Sequence, residues 1–346
     1  MSAMPPPFVT IAIPCRDEEG YIEPCIRSVQ AQKWPSERIE ILVADGMSVD
    51  ATREILGRLA EEDPRIRLID NAARIQSAGL NECIRRARGE IVVRVDVHAE
   101  YAPDFVERCV AALERSGADN VGGAARPKAK SFFQRCVAAA LRSPLGMGGS
   151  RYRDVEQEGF VESVWPGAFR RTVFERIGMF DAGAITNEDA ELNQRIIEGG
   201  GRVYMSRDIV SFYYPRDSMS ALARQYYRYG VGRARTFVKH GKLLSIRPAV
   251  PFLGLVSEVM LFAVAPWSAG ALSIATYAIA TGAEAVRVGY PEGIAAIPVV
   301  WAIFPVLHVA HGAGFGVGVV QYALHPDWSP PERLTPTASV VHPAEP

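Results

Sequence analysis

The chain has no C-x-x-C pair, and its cysteines, Cys15, Cys25, Cys83, Cys109 and Cys136, are scattered and odd in number. That pattern argues against a disulfide framework and against a zinc site, and it points to a reducing, cytosolic setting for residues 1–245. Net charge is also lacking. Thirty-eight Lys and Arg stand against 39 Asp and Glu, with a pI near 6.6, so no global basic field argues for nucleic acid. The opening MSAMPPPFVT has no basic n-region and no long apolar run, and it does not read as a secretory signal. No G-x-G-x-x-G follows the first apolar run, which argues against the usual dinucleotide fold. No internal repeat is visible. The last scarcity is local: charge is dense up to Arg247 and sparse from there to Ala323.

What is present before Arg247 alternates. FVTIAIP (8–14), IEILVAD (39–45), IRLID (66–70) and EIVVRVD (90–96) read as strands. IEPCIRSVQAQ (22–32), SVDATREILGRLAEED (48–63) and SAGLNECIRRARG (77–89) carry helical apolar spacing, and Ser48 or Asp50 can cap the second of them. Such βαβα order predicts an α/β fold with a mostly parallel sheet and helices on both faces. Ligands in such sheets sit beyond the carboxyl ends of the strands, and Pro14, Asp45 and Asp96 fall at those ends. Residues 120–215 are less regular: a loop-rich stretch at 145–168, helices from Arg171 and within 180–200, and a strand near 203–206. A basic helix with aromatic teeth follows at 221–242.

Three apolar runs come next, at 249–267, 268–286 and 294–324. Their lengths suit a bilayer, and three in succession exceed what a soluble core of this size needs. The Arg and Lys residues crowding 224–247 place that flank on the cytosolic side by the positive-inside bias. The Pro-rich tail, 326–346, reads as disordered. The expected organisation is a cytosolic catalytic domain (1–245), hydrophobic membrane-associated helices (246–325) and the tail.

Several strand-end residues can carry chemistry, and each also has a plain structural reading. Asp45 can accept a hydrogen bond from a nucleobase N–H, or simply cap the next helix. In PCRDEEGYI, Arg16 can approach a diphosphate and Glu18 or Glu19 a ribose hydroxyl, or the stretch is a solvated turn. Asp96 and His98, two apart on extended backbone, point the same way. They can supply two ligands to Mn²⁺ or Mg²⁺, or form a polar turn. Glu188 and Asp189 sit at a helix start, where the dipole favours the carboxylate form. An ionised carboxylate there can take a proton from a sugar hydroxyl, and helix-start acids also merely cap. Gln225, Arg228 and the tyrosines of RQYYRYG can line a channel, with Arg228 on phosphate oxygens, or hold the domain against lipid.

Their order is more telling than any one of them. P-x-R-D-E-E, V-A-D-G-x-S-x-D, R-I-Q-S-A-G-L-N, V-D-V-H, W-P-G-A, N-E-D-A-E-L-N-x-R and Q-Y-Y-R-Y together resemble the family-2 inverting glycosyltransferases of the GT-A type, over roughly residues 8–240. The apolar C-terminal region resembles that of membrane-bound members that build bacterial exopolysaccharide, the succinoglycan type. The resemblance implies roles. Pro14, Arg16 and Glu18 match the first nucleotide-contacting loop. Asp45 matches the base-recognising acid, with Asp50 in the same loop, and Arg74 a basic residue near the nucleotide. Asp96 and His98 match the metal motif, with His98 in place of its second acid. Asp189 matches the catalytic base, with Glu188 beside it. Trp165 and Gly167 fall in the acceptor loop. Gln225 and Arg228 match Q-x-x-R-W, with Tyr229 in place of tryptophan.

The function implied is metal-assisted transfer of a sugar from a UDP-sugar to a lipid-linked saccharide at the cytoplasmic membrane. Two alternatives use other chemistry. A sugar-1-phosphate nucleotidyltransferase calls for a Gly-rich loop after strand one, where this chain has PCRDEEG. A non-catalytic membrane scaffold on the same fold has no need to keep metal and base candidates together.

Overall fold

The computed structural model describes residues 5–147 and 155–335. The chain opens with β1 (Val9–Cys15), α1 (Ile22–Gln30), β2 (Ile39–Asp45), α2 (Thr52–Glu62), β3 (Ile66–Asp70), α3 (Gln76–Arg86) and β4 (Ile91–Arg94). These strands pair in parallel in the order β3-β2-β1-β4. Every side chain of β1 is buried because both faces are covered. Ile11 and Ile13 pack with Ile22, Ile26 and Leu56 of α1 and α2 on one face. Ala12 packs with Leu80 and Ile84 of α3 on the other. The expected α/β architecture is present.

The second half follows as β5 (Ala99–Tyr101), α4 (Phe105–Ser116), β6 (Asn120–Gly122), β7 (Ala125–Pro127), α5 (Phe132–Arg142), α6 (Pro144–Met147), β8 (Gly159–Phe160), β9 (Ala168–Arg170), α7 (Thr172–Ile177), α8 (Glu188–Glu198), β10 (Val203–Met205), β11 (Ser211–Tyr213) and α9 (Met219–His240). Strands β9, β6, β10 and β8 extend the main sheet beyond β4, with β9 and β8 antiparallel to their neighbours. A small sheet, β5-β11-β7, closes over one end. The loop-rich reading of 145–168 holds outside the short elements α6, β8 and the start of β9, and residues 148–154 lie outside the described ones.

The apolar runs fold as α10 (Val250–Val264), α11 (Trp267–Gly289) and α12 (Ala296–Leu324), all long and apolar enough to cross a membrane. α12 is the most buried of the three because it lies between the others and the globular domain. Its first half packs through Val300, Ile303 and Phe304 against Cys136, Val137 and Ala140 of α5. Its second half lies on α9 at backbone distance. A Cβ on Gly314 would come within 2.1 Å of the Tyr227 carbonyl, and one on Gly230 within 2.1 Å of that of His311, so only glycine permits the approach. Large side chains such as Leu253, Met260, Leu272 and Ile279 point outward from α10 and α11.

A buried ion cluster joins α8 to α9. Glu191 accepts from Arg195 (2.8 Å), Lys239 (2.8 Å) and His240 (3.1 Å). Asp181 accepts from Arg235 (2.7 Å), which also bonds Asp327 (2.8 Å). Asp327 belongs to the stretch expected to be disordered. Over 326–335 that expectation is not met: Met179 N–H donates to the Glu332 carbonyl (2.7 Å), Arg85 pairs with Glu332, and Leu334 is buried. Backbone and ionic partners hold it despite its prolines. Residues 336–346 lie outside the described ones.

Burial alone pushes the Glu191 carboxyl up, but the His240, Arg195 and Lys239 contacts outweigh it and hold it well below the usual carboxylate range. Its stabilising share is therefore present above the unfolded value and lost as pH falls towards the depressed folded one. Glu191→Ala removes the carboxylate that Arg195, Lys239 and His240 share, leaves the buried Arg195 and Lys239 short of a partner, and is expected to cost about 3–5 kcal/mol at neutral pH. Thermal melts of purified protein should show that gap narrowing below about pH 4.

Candidate active site

The loops after β1, β3 and β4 and the start of α8 open onto one cavity of about 2050 Å³, which continues along α9 to the faces of α10, α11 and α12. Of the residues singled out above, Pro14, Arg16, Glu18, Arg74, Asp96, His98, Trp165, Glu188, Asp189, Gln225 and Arg228 line it.

The first two loops are stitched together, and this decides which acids remain available. Asp17, at φ 54°, donates its N–H to Ser48 Oγ (2.8 Å) and accepts from Val49 N–H (2.9 Å). Glu19 N–H donates to Asp50 Oδ2 (3.1 Å), and Ala51 N–H donates to Glu19 Oε2 (3.1 Å). Asp17, Glu19 and Asp50 thus hold loop to loop, whereas Arg16 and Glu18 face the cavity. Asp50 does not line it. Asp45 is fully buried and shared by Ser48 N–H (3.1 Å) and Arg53 Nη1 (2.6 Å), and it too lies behind the cavity wall.

The stretch around Arg74 shapes the far side. Ser77 Oγ donates to the Ala184 carbonyl (2.9 Å) and Asn81 Nδ2 to that of Phe180 (2.8 Å). The start of α3 thereby anchors the segment that leads into α8.

At the end of β4 stands a residue that the sequence reading passed over. Arg94 is 5% exposed and bonds Asp96 Oδ1 through Nε (2.8 Å) and Oδ2 through Nη2 (3.2 Å). Its Nη1 lies 2.8 Å from Glu188 Oε1. A lone charge inside the apolar run IVVRV was the available signal. Trp165 Nε1 donates to Asp96 Oδ2 (2.6 Å) and Gln76 Nε2 to Oδ1 (3.2 Å). Asp96 is therefore served on both oxygens. His98 turns elsewhere: its Nε2 lies 2.9 Å from Glu18 Oε1, and its ring meets the Tyr21 ring edge-on at 4.4 Å. The pair Asp96 and His98, as folded, does not fit a shared divalent ion, because the two side chains serve different partners. Among the described residues no group of three or more His, Cys, Asp or Glu side chains is placed to hold one.

Glu188 and Asp189 begin α8. Burial raises the Glu188 carboxyl above its ordinary value, with Arg94 opposing the rise. Asp189 is half-buried and open to the cavity, with Oδ1 accepting from Ala190 N–H (2.8 Å). The turn before them is held by α9: Thr186 Oγ1 donates to the Arg228 carbonyl (3.0 Å) and Asn187 Nδ2 to that of Tyr229 (3.1 Å). Gln225 Nε2 donates to Tyr229 Oη (2.9 Å), and Arg228 is exposed to the cavity. Gly167 lies off the cavity and serves packing, since a Cβ there would strike the Phe169 ring at 2.6 Å.

The family model for glycosyl transferase family 2 matches residues 10–178. The succinoglycan biosynthesis protein ExoA of Rhizobium meliloti is 34% identical over 88% of this chain and 93% of its own length. The chain belongs to glycosyltransferase family 2. A further relative, at 29% identity over 65% of this chain and 73% of its own, is the dolichyl N-acetyl-alpha-D-glucosaminyl phosphate 3-beta-D-2,3-diacetamido-2,3-dideoxy-beta-D-glucuronosyltransferase of Methanococcus voltae. The fold is the GT-A fold. It is shared with a mannosyltransferase of Pyrobaculum calidifontis solved with GDP-Man and Mn²⁺, at TM-score 0.58 and 22% identity over 94% of this chain and 89% of that one. The protein is thus a glycosyltransferase of glycan biosynthesis.

Trp165→Phe keeps a ring against Tyr213 but removes the donor to Asp96. A hydrogen bond to a charged group contributes about 1.5–3 kcal/mol. Donor turnover is expected to fall about tenfold or more with an unchanged circular dichroism spectrum, measured on purified protein.

Proposed function

We propose that the protein moves a sugar from a UDP-sugar to a lipid-linked saccharide acceptor in polysaccharide biosynthesis, in one inverting step, with Asp189 as general base. The observation that carries this reading is the Asp189 carboxylate, open to a cavity that is lined by Arg16 and Arg74 and also by residues of three apolar helices, among them Leu255, Ile274 and Leu307. A nucleoside diphosphate suits the arginines, and an acceptor anchored in lipid suits the apolar helices.

In this scheme Asp189 takes the proton of an acceptor hydroxyl. The hydroxyl oxygen bonds to the anomeric carbon as the bond to UDP breaks, and that electron pair leaves on the diphosphate. Glu188, held by Arg94, stays behind the base and keeps the start of α8 in place. Arg16, Arg74 and Arg228 offset charge on phosphate oxygens, and Trp165 borders the acceptor. The chemistry is positioning plus charge stabilisation, without a covalent enzyme intermediate. A divalent cation, Mn²⁺ or Mg²⁺, bound with the diphosphate would offset the charge that develops on the leaving group. Asp45 reaches a base only by giving up part of its bonding to Ser48 and Arg53.

The same reading sets the catalytic domain, 1–245, on the cytosolic face of the cytoplasmic membrane and the helices of 246–325 within it. The basic stretch 224–247 supports that orientation. The nucleotidyltransferase alternative is not favoured, because the first loop is spent on stitching to the second rather than on cradling phosphate.

Asp189→Asn is expected to lower transfer by about 10²-fold or more while UDP binding persists. Turnover of a radiolabelled donor into membrane lipid, with binding followed by calorimetry, checks this. Near-wild-type transfer would remove Asp189 from the role of base.

A further inference from the structure

The adjacency of Asp96 and His98 in sequence suggests that they share an ion, yet the folded chain pairs His98 with Glu18 instead. We propose that the divalent cation that accompanies the donor diphosphate is held by Glu18 and His98, and that Asp96 is the fixed acceptor for Arg94 and Trp165 rather than a metal ligand. This rests on the reading that the donor is a nucleoside diphospho-sugar bound with a cation.

Occupancy is the first argument. Both Asp96 oxygens accept, from Arg94, Trp165 and Gln76. To coordinate an ion, Asp96 must release the guanidinium of a 5% exposed arginine whose other partner is Glu188. Stripping a partner from a buried cation is costly. No such release is needed at Glu18, whose carboxylate, among the described residues, meets only the His98 ring.

Geometry is the second. Two ligands at right angles, each about 2.1 Å from an octahedral ion, stand about 3.0 Å apart. Glu18 Oε1 and His98 Nε2 are 2.9 Å apart, so their spacing already suits two neighbouring ligands of one ion, and a turn of the imidazole that swings Nε2 off the line to Glu18 aims both at it. The Glu18 backbone and the His98 ring are also held in place. The Glu18 N–H donates to Thr52 Oγ1 (2.7 Å), and its carbonyl accepts from Tyr21 and Ile22 at the start of α1 (2.9 Å each). The Tyr21 ring braces the imidazole at 4.4 Å.

Access and charge are the third. The Glu18 side chain is 18% exposed and that of His98 53%, and both line the cavity beside Arg16 and Arg74. The other coordination positions are thus open to diphosphate oxygens and water, the usual complement of these ions. One carboxylate and one neutral imidazole leave a dication with net positive charge for the diphosphate, and the nitrogen ligand favours Mn²⁺ over Mg²⁺.

The test uses the full chain in detergent. Retention of Mn²⁺ in the presence of UDP, or of GDP, is read from the electron paramagnetic resonance signal of free Mn²⁺. Nucleotide affinity is measured with and without Mn²⁺. Glu18→Gln and His98→Gln should each weaken Mn²⁺ retention by at least about tenfold, whereas Asp96→Asn should keep it. Retention lost in Asp96→Asn but kept in Glu18→Gln overturns the assignment. Nucleotide binding that is indifferent to Mn²⁺ in the wild type overturns it too, and leaves the donor reading intact. No binding of either nucleotide removes both. Asp96→Asn frees a buried arginine and can unfold the domain, so His98→Cys provides an independent readout. It should retain Cd²⁺ over Mn²⁺ in competition, and an unchanged metal preference contradicts the site.

Discussion

The active site depends on one buried guanidinium. Arg94 ends a strand whose other residues are all apolar, and its desolvation is tolerable only because Asp96 and Glu188 meet it on two sides. Asp96 belongs to the loop after β4, and Glu188 to the first turn of α8, 92 positions later in the chain. If either loop relaxes away, the buried guanidinium loses one of its two carboxylates. A single cation thus sets the separation between the donor side of the cavity and the proposed base, Asp189, which is the next residue along α8.

Around this contact the protein adds layers that fix the same two loops from outside. Ser77 and Asn81 of α3 bond the segment before α8, and Thr186 and Asn187 bond carbonyls of α9. α9 in turn lies against α12 at glycine distance and shares a buried ion cluster with α8. The apolar helices and the proposed base are therefore connected through one rigid helix, α9. An acceptor held among those helices would approach Asp189 along a wall of fixed geometry.

Much of this was legible in the sequence, for definite reasons. β1, β2 and β3 and helices α1 to α3 are long enough for their apolar periodicity to show, and their strand ends located the cavity. The three-residue strands of the second half carry no period, so the small sheet β5-β11-β7 had no signal. Among site residues, order along the chain brought Arg16, Asp96, Asp189 and Arg228 to one cavity. It could not tell which acids of RDEE and VADGMSVD are consumed in joining two loops, because that depends on how the loops meet: Asp17, Glu19 and Asp50 are used and Glu18 is not. Arg94 was overlooked because strand periodicity does not tell which partners a charge inside a strand meets: Glu188 lies 94 positions further along the chain. The tail to 335 read as disordered from its prolines, although its hydrogen bonds run through backbone groups that prolines elsewhere in the segment do not remove.

The most direct test of this account is a double-mutant cycle on Arg94 and Glu188, using Arg94→Leu, Glu188→Leu and the pair, read by both stability and sugar transfer. The account predicts that the pair is less damaging than the sum of the single changes, with a coupling of about 1–3 kcal/mol in stability, because removing both charges leaves neither stranded. Additive losses would show that the two residues act independently, and that something other than this ion pair holds β4 to α8.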